Sequence, residues 1–239
     1  MATASDRDSI LSLITKQQDG FRDLWKIVDR LGENFRQILQ SISSDDSLHL
    51  LQMKDIRTGG TILHYAFYKS DTEKVQMFLE CVSEEERYIL LSAQTWDNFT
   101  LIHCACFCNR SRVLDVMIRL LKEETWYKLL QITCVGGATP LHLLAYWGHT
   151  QAISTIADSL TAQHLVHLLR ITDVDGNTPL QWAEYYGKHA AAELLQDHQT
   201  KALIDLAVQQ ADQTGSNPIH NAYFTCVQAW SQFHWYWSI

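Results

Sequence analysis

Apolar and polar positions along this chain form a pattern that repeats. Val75 and Phe78, Leu114 and Met117, and Ile153 and Ile156 stand three residues apart, and Leu195 continues the Phe78 series. That spacing is the buried stripe of a helix. Leu51, Leu90, Leu129 and Leu168 mark a second, shorter helix in one register, with Ala207 as the fifth member. Its start carries Ser44, Ser83, Thr161 and Thr200, with Lys122 as the exception. Hydroxyls there accept hydrogen bonds from the exposed N–H groups of a first helical turn. Ser83 followed by Glu86 has the spacing of a reciprocal cap, in which hydroxyl and carboxylate each satisfy the other residue's backbone.

A third element follows a turn. Thr61-Ile-Leu-His64, Thr100-Leu-Ile-His103, Thr139-Pro-Leu-His142, Thr178-Pro-Leu-Gln181 and Asn217-Pro-Ile-His220 recur at a constant step of 39 residues. Two residues before these anchors stand Gly59, Asn98, Gly137, Gly176 and Gly215. Glycine or asparagine suits a positive φ just ahead of a helix. Five residues after the anchors stand Ala66, Ala105, Leu144, Ala183 and Ala222, mostly small side chains that let helices approach closely. Each block therefore predicts a short helix, a glycine turn, helix A and helix B. The first block is degenerate: Ser5 aligns with Ser44, Gly20 with Gly59 and Leu24 with Leu63, but Trp25 stands where the histidine would. Terminal repeats diverge because one face meets water. The organisation expected is a degenerate N-terminal capping repeat (1-43), four repeats (44-199) and a C-terminal capping repeat with an aromatic tail (200-239).

These residues resemble ankyrin repeats, whose signature is Gly-x-Thr-Pro-Leu-His-x-Ala-Ala followed by a Gly-His turn. Gly137 to Ala145 with Gly148-His149 matches it at nearly every position, and Gly176 to Ala183 with Gly187-Lys188 is close. The resemblance covers essentially residues 20–225. The family's usual period is 33, so the six added residues fall in the short helix before the turn, where the family's hairpin finger is expected to be reshaped or replaced. The resemblance implies an all-α helical solenoid and a non-catalytic protein–protein interaction module, an adaptor or scaffold. The alternatives are an ankyrin segment or isoform of a larger multidomain or membrane protein, and a regulatory subunit of an enzyme.

Composition points the same way. Glycine (10) and proline (3) are too scarce for the many turns of sandwiches and barrels. A net charge of −8 without a Lys/Arg cluster disfavours nucleic acid and anionic membrane surfaces as partners. No apolar run is long enough for a transmembrane helix, so membrane insertion is not expected. The N-terminus does not read as a secretory signal. Six cysteines without a paired framework imply reduced thiols and a cytoplasmic setting, with the nucleus as the other choice.

Candidate chemistry is sparse. Of the eleven histidines, His64, His103, His142 and His220 share one repeat position. The family resemblance implies that their rings hydrogen-bond neighbouring backbone. His103, Cys104, Cys106 and Cys108 form the one metal-like cluster, but Cys104 and Cys108 share a helix face that Cys106 does not. A zinc site needs about four convergent ligands, so neither a metal nor another cofactor is expected. No phosphate-cradling glycine loop, nucleophile elbow or His-Glu-x-x-His motif is present, and the chain is expected not to be an enzyme.

A protein or peptide ligand is the partner expected. In the family, residues flanking the turn and the exposed side of helix A build the concave binding surface. One such position reads Tyr68, Phe107, Tyr146, Tyr185 and Phe224, aromatic in all five of these blocks. It is either an aromatic ladder for a peptide or a stacking surface for neighbouring helices. The next position varies: Lys69, Cys108, Trp147, Tyr186 and Thr225. Beside the turn stand Trp96 and Phe99. The partner-binding candidates are Trp96, Phe99, Tyr146, Trp147, Tyr185 and Tyr186. The aromatic end, Trp230 to Ile239, has three readings: a hydrophobic cap, the edge of a longer array, or a patch for a partner or for self-association.

Overall fold

Helix starts recur at the step of the sequence pattern. The computed structural model describes residues 4–14, 20–32 and 34–214, which hold fifteen α-helices and no strand. The first block gives α1 (Ala4–Ile14), α2 (Gly20–Leu31) and α3 (Asn34–Ser41). The second gives α4 (Ser44–Gln52), α5 (Ile62–Tyr68) and α6 (Thr72–Glu80). The third gives α7 (Glu84–Ser92), α8 (Leu101–Phe107) and α9 (Ser111–Leu120). The fourth gives α10 (Glu123–Leu130), α11 (Pro140–Trp147) and α12 (Thr150–Asp158). The fifth gives α13 (Ala162–Leu169), α14 (Pro179–Tyr185) and α15 (His189–Thr214). No described helix is long and apolar enough to cross a membrane.

The chain divides after Pro140 into two compact units. In the first, equivalent helices pack on one another: α4 on α7, α5 on α8, α6 on α9 and α7 on α10. The stripe read from the sequence is the core, since Val75, Phe78, Leu114 and Met117 are wholly buried. Burial of each such side chain contributes about 1.5–3 kcal/mol. Ala66 and Ala105 are buried where neighbouring helices meet. Arg87 joins the layers: its Nε donates to Leu79 O at 2.7 Å and its Nη1 to Leu120 O at 2.7 Å, satisfying carbonyls at the C-terminal ends of α6 and α9. In the second unit α15 packs against α12, α13 and α14, and Ile153, Ile156, Leu168 and Leu195 are buried.

The turns repeat as closely as the helices. The N–H of Thr95 bonds to Phe99 O at 2.9 Å, that of Cys134 to Ala138 O at 2.9 Å, and that of Asp173 to Asn177 O at 2.9 Å. Inside these closures Asn98, Gly137 and Gly176 have φ of 60°, 77° and 84°, as Gly59 does at 68° in the first turn. Each segment between the short helix and helix A is a tight loop, with one isolated bridge between Lys54 and Thr61 and a short 3-10 turn at Val135–Gly137 among the described residues.

Two local readings change, and Lys122 stands as the exception it was expected to be. Ser43, not Ser44, caps α4 by accepting from Asp46 N at 3.1 Å, while Ser44 is the first residue of the helix and its hydroxyl donates to Glu86 of the next block. Lys122, which has no acceptor for a cap, pairs its ammonium with Glu84 at 2.7 Å. Thr200 does not begin a new helix: α15 runs through it, and its hydroxyl bonds back to Gln196 O at 2.8 Å. Residues 189–214 lack glycine and proline and are rich in Ala, Leu and Gln, so helix propagation prevails over a cap there. Gly215, the Asn217–His220 anchor, Ala222, Phe224 and the aromatic tail lie outside the described residues.

Candidate functional site

The repeated histidines are built into the scaffold. Thr61 N–H donates to His64 Nδ1 at 3.3 Å, and Thr100 N–H donates to His103 Nδ1 at 3.3 Å. Nδ1 is therefore unprotonated and Nε2 carries the hydrogen. His64 Nε2 donates to Phe99 O at 3.3 Å and His103 Nε2 to Ala138 O at 3.3 Å. Each ring caps its own helix and ties it to the turn of the next block. Burial lowers both rings from 6.5 to about 4, against the carbonyl bonds that raise them. In the second unit His142 Nε2 bonds to Asn177 O at 3.0 Å, and burial lowers this ring as well. In the fifth block Gln181 takes the capping role, accepting from Thr178 N at 2.8 Å.

The cysteines are packing groups. Burial pushes the Cys104 thiol up to about 12, and the wholly buried Cys106 higher still, so neither is a thiolate at neutral pH. Cys108 is exposed at the end of α8. Among the described residues, no three His, Cys, Asp or Glu side chains are grouped to hold a metal ion.

Two of the predicted contact residues lie in the first unit, where both carry structure. The Trp96 indole lies against Gly59, its Nε1 donates to Ile56 O at 3.2 Å, and its backbone N–H donates to Thr58 O at 3.0 Å. The Lys54 ammonium stands 5.8 Å from its ring centroid. Trp96 still keeps 62% of its surface exposed. Phe99 is half-buried, with its ring edge-on to His103 at 5.8 Å and to Phe107 at 6.2 Å.

The other four come together in the second unit. Tyr146 meets Tyr186 at 4.4 Å and Trp147 at 5.0 Å, and Tyr185 meets Tyr186 at 5.0 Å, all edge-on. Such geometry sets the positive edge of one ring against the negative face of the next. The cluster extends to Trp182, 6.1 Å from Tyr146 and 6.0 Å from Tyr186, and from there to His142 at 5.2 Å. Tyr185 is 84% exposed, and Tyr186 and Trp147 are 43% and 41% exposed. The four rings form a continuous edge-on patch that stays partly open to solvent.

Reading the sequence missed the residue that orients this surface. Asp173 Oδ2 accepts from Trp182 Nε1 at 2.7 Å, while Oδ1 accepts from the N–H groups of Asn177 at 2.8 Å and Asp175 at 3.0 Å. Burial opposes the charge on Asp173, but these donors outweigh it and hold the carboxyl below its ordinary value. The signal available was an aspartate in a turn nine residues ahead of a helix A tryptophan. A second feature also went unread. In the first unit Phe21, Trp25 and Tyr65 wall an open cleft of about 590 Å³, rimmed by Arg22, Asp55 and Arg57. Compared with models of known protein families and with curated proteins, the chain matches none.

Proposed function

We propose that this chain is an ankyrin-like helical repeat protein that acts as a non-catalytic interaction module, an adaptor or scaffold for a protein or peptide partner in the cytoplasm. The observation that carries the reading is the ring cluster in which exposed Trp147, Tyr185 and Tyr186 gather about a half-buried Tyr146. Edge-on packing fixes these rings, and large fixed aromatic faces are the anchors that dominate binding energy at interfaces. The Thr-x-x-His anchors support the repeat part of the proposal, because their rings bond to carbonyls 35 residues on. The buried, protonated thiols fit a reducing compartment.

The test compares capture by the wild-type chain with capture by a Tyr185→Ala, Tyr186→Ala variant. Both side chains are open enough for helix content to stay unchanged, which circular dichroism checks. Loss of one or more captured proteins is expected. An identical captured set from the folded variant removes this surface from the proposal.

A further inference from the structure

We propose that the Tyr185–Tyr186 face receives an arginine-bearing segment of the partner protein. The inference rests on the interaction reading above and names the chemistry of the occupant. It starts from a comparison the chain makes with itself. In the first unit, aromatic rings already have cations over them: Lys69 stands 5.4 Å from the Tyr65 ring, Lys74 5.5 Å from the Trp25 ring and Lys54 5.8 Å from the Trp96 ring. Trp182 holds the repeat position of Tyr65, but the position of Lys69 is there occupied by Tyr186, and that of Lys74 by Ala191. Among the described residues, no lysine or arginine lies over Trp182, Tyr185 or Tyr186. The fifth block keeps the ring and replaces the cation with more ring.

The sequence of the second unit is acidic overall, although the Lys188 side chain lies close by, against Gly148. Residues 141–239 carry eight acidic and three basic side chains, a net −5 of the chain's −8. Glu184 is exposed beside Tyr185, and the C-terminal end of α14, with its partial negative charge, finishes at these rings. A cation over an aromatic face gains from the ring quadrupole. Arginine gains most, because its planar and weakly hydrated guanidinium stacks on the ring and still offers donors at its edge. The acidic field speeds the encounter and disfavours acidic competitors.

The test uses the full chain and a defined probe, a peptide of alternating arginine and glycine, titrated by calorimetry at physiological salt. The citrulline–glycine peptide, of nearly the same shape without charge, runs beside it. The arginine probe is expected to bind, the citrulline probe to bind at least about tenfold more weakly, and the Tyr185→Ala, Tyr186→Ala variant to lose about fivefold or more toward arginine. Tyr185→Phe, Tyr186→Phe keeps the ring faces and is expected to stay within about twofold of wild type. Equal binding to wild type and the alanine variant would mean diffuse charge attraction alone, and that overturns the proposal. So does absence of binding to the wild type. The capture comparison judges the interaction reading separately. Partners that are lost with the alanine variant but not displaced by the arginine probe leave that reading standing and remove the cationic occupant.

Discussion

Acidification to pH 5 is expected to destabilise the first unit, and the two capping histidines set the size of the effect. His64 and His103 are neutral in the folded state because burial lowers each ring from 6.5 to about 4. Above pH 6.5 the folded and unfolded chains are both neutral at these sites, and the stabilisation is fully present. Between 6.5 and 4 the unfolded chain binds protons that the folded rings refuse, so stability falls as pH falls. Below about 4 the folded rings protonate too and the loss levels off. At pH 5 the difference in proton binding amounts to about 2 kcal/mol per ring, or about 4 kcal/mol for the pair. That is a large part of the ~5–15 kcal/mol that holds a typical domain together. The carboxylates with lowered values, Glu80, Glu84 and Glu86, add losses only at lower pH, so the interval from pH 8 to pH 5 belongs mainly to histidine.

Urea unfolding, followed by far-ultraviolet circular dichroism across that interval, measures the loss. A His103→Gln variant isolates one ring, because Gln181 already fills the same capping role in the fifth block. The variant should lose about 2 kcal/mol less than wild type between pH 8 and pH 5. Stability that stays flat down to pH 5 would refute the reasoning. So would ring resonances of native His64 and His103 that titrate near 6.5.

Four further outcomes are expected. Gly59→Ala should cost about 2–3 kcal/mol in denaturant unfolding, because its Cβ would stand 2.8 Å from Trp96 Cδ2 and 2.9 Å from the Trp96 backbone N at a φ of +68°. Gly136→Ala, at a φ of +83° with nothing within 4 Å, should cost only about 1 kcal/mol of backbone strain, and equal costs would remove the Trp96 contact as the cause. Asp173→Ala should cost about 1–3 kcal/mol and change the tryptophan fluorescence, since it strips a half-buried indole N–H and two turn N–H groups of their acceptor. In the native protein iodoacetamide should label the exposed Cys108 well before Cys104 or Cys106, as read by peptide mass spectrometry, and labelling of Cys106 should track unfolding.

What was legible in the sequence is what repeats within a block. The Val75–Phe78 stripe, the positive-φ residue two places before each of the four described anchors and the Ser83–Glu86 cap all follow from the chemistry of near neighbours, and all stand where the pattern puts them. What was not legible depends on contacts between blocks. Ser44 lies inside α4 and bonds to Glu86 of the following block while Ser43 caps, and nothing in the local sequence distinguishes the two serines. Trp96 lies over Gly59, 37 positions away, a step that matches neither the helix nor the repeat. The candidate surface divides along the same line. Phe99 and Trp96 flank a turn, and turn residues are drawn into closing the layer beneath them, so their rings hold structure first. Tyr185 and Tyr186 end a helix whose buried face is already filled by Leu180 and Ala183. Neither ring is among the buried core residues; Tyr185 holds the position that stays aromatic from Tyr68 through Phe107 and Tyr146, while the position of Tyr186 passes from Lys69 to Cys108 to Trp147 without disturbing the helices. On the interaction reading proposed above, a partner is the constraint that chooses among the side chains at the varying position.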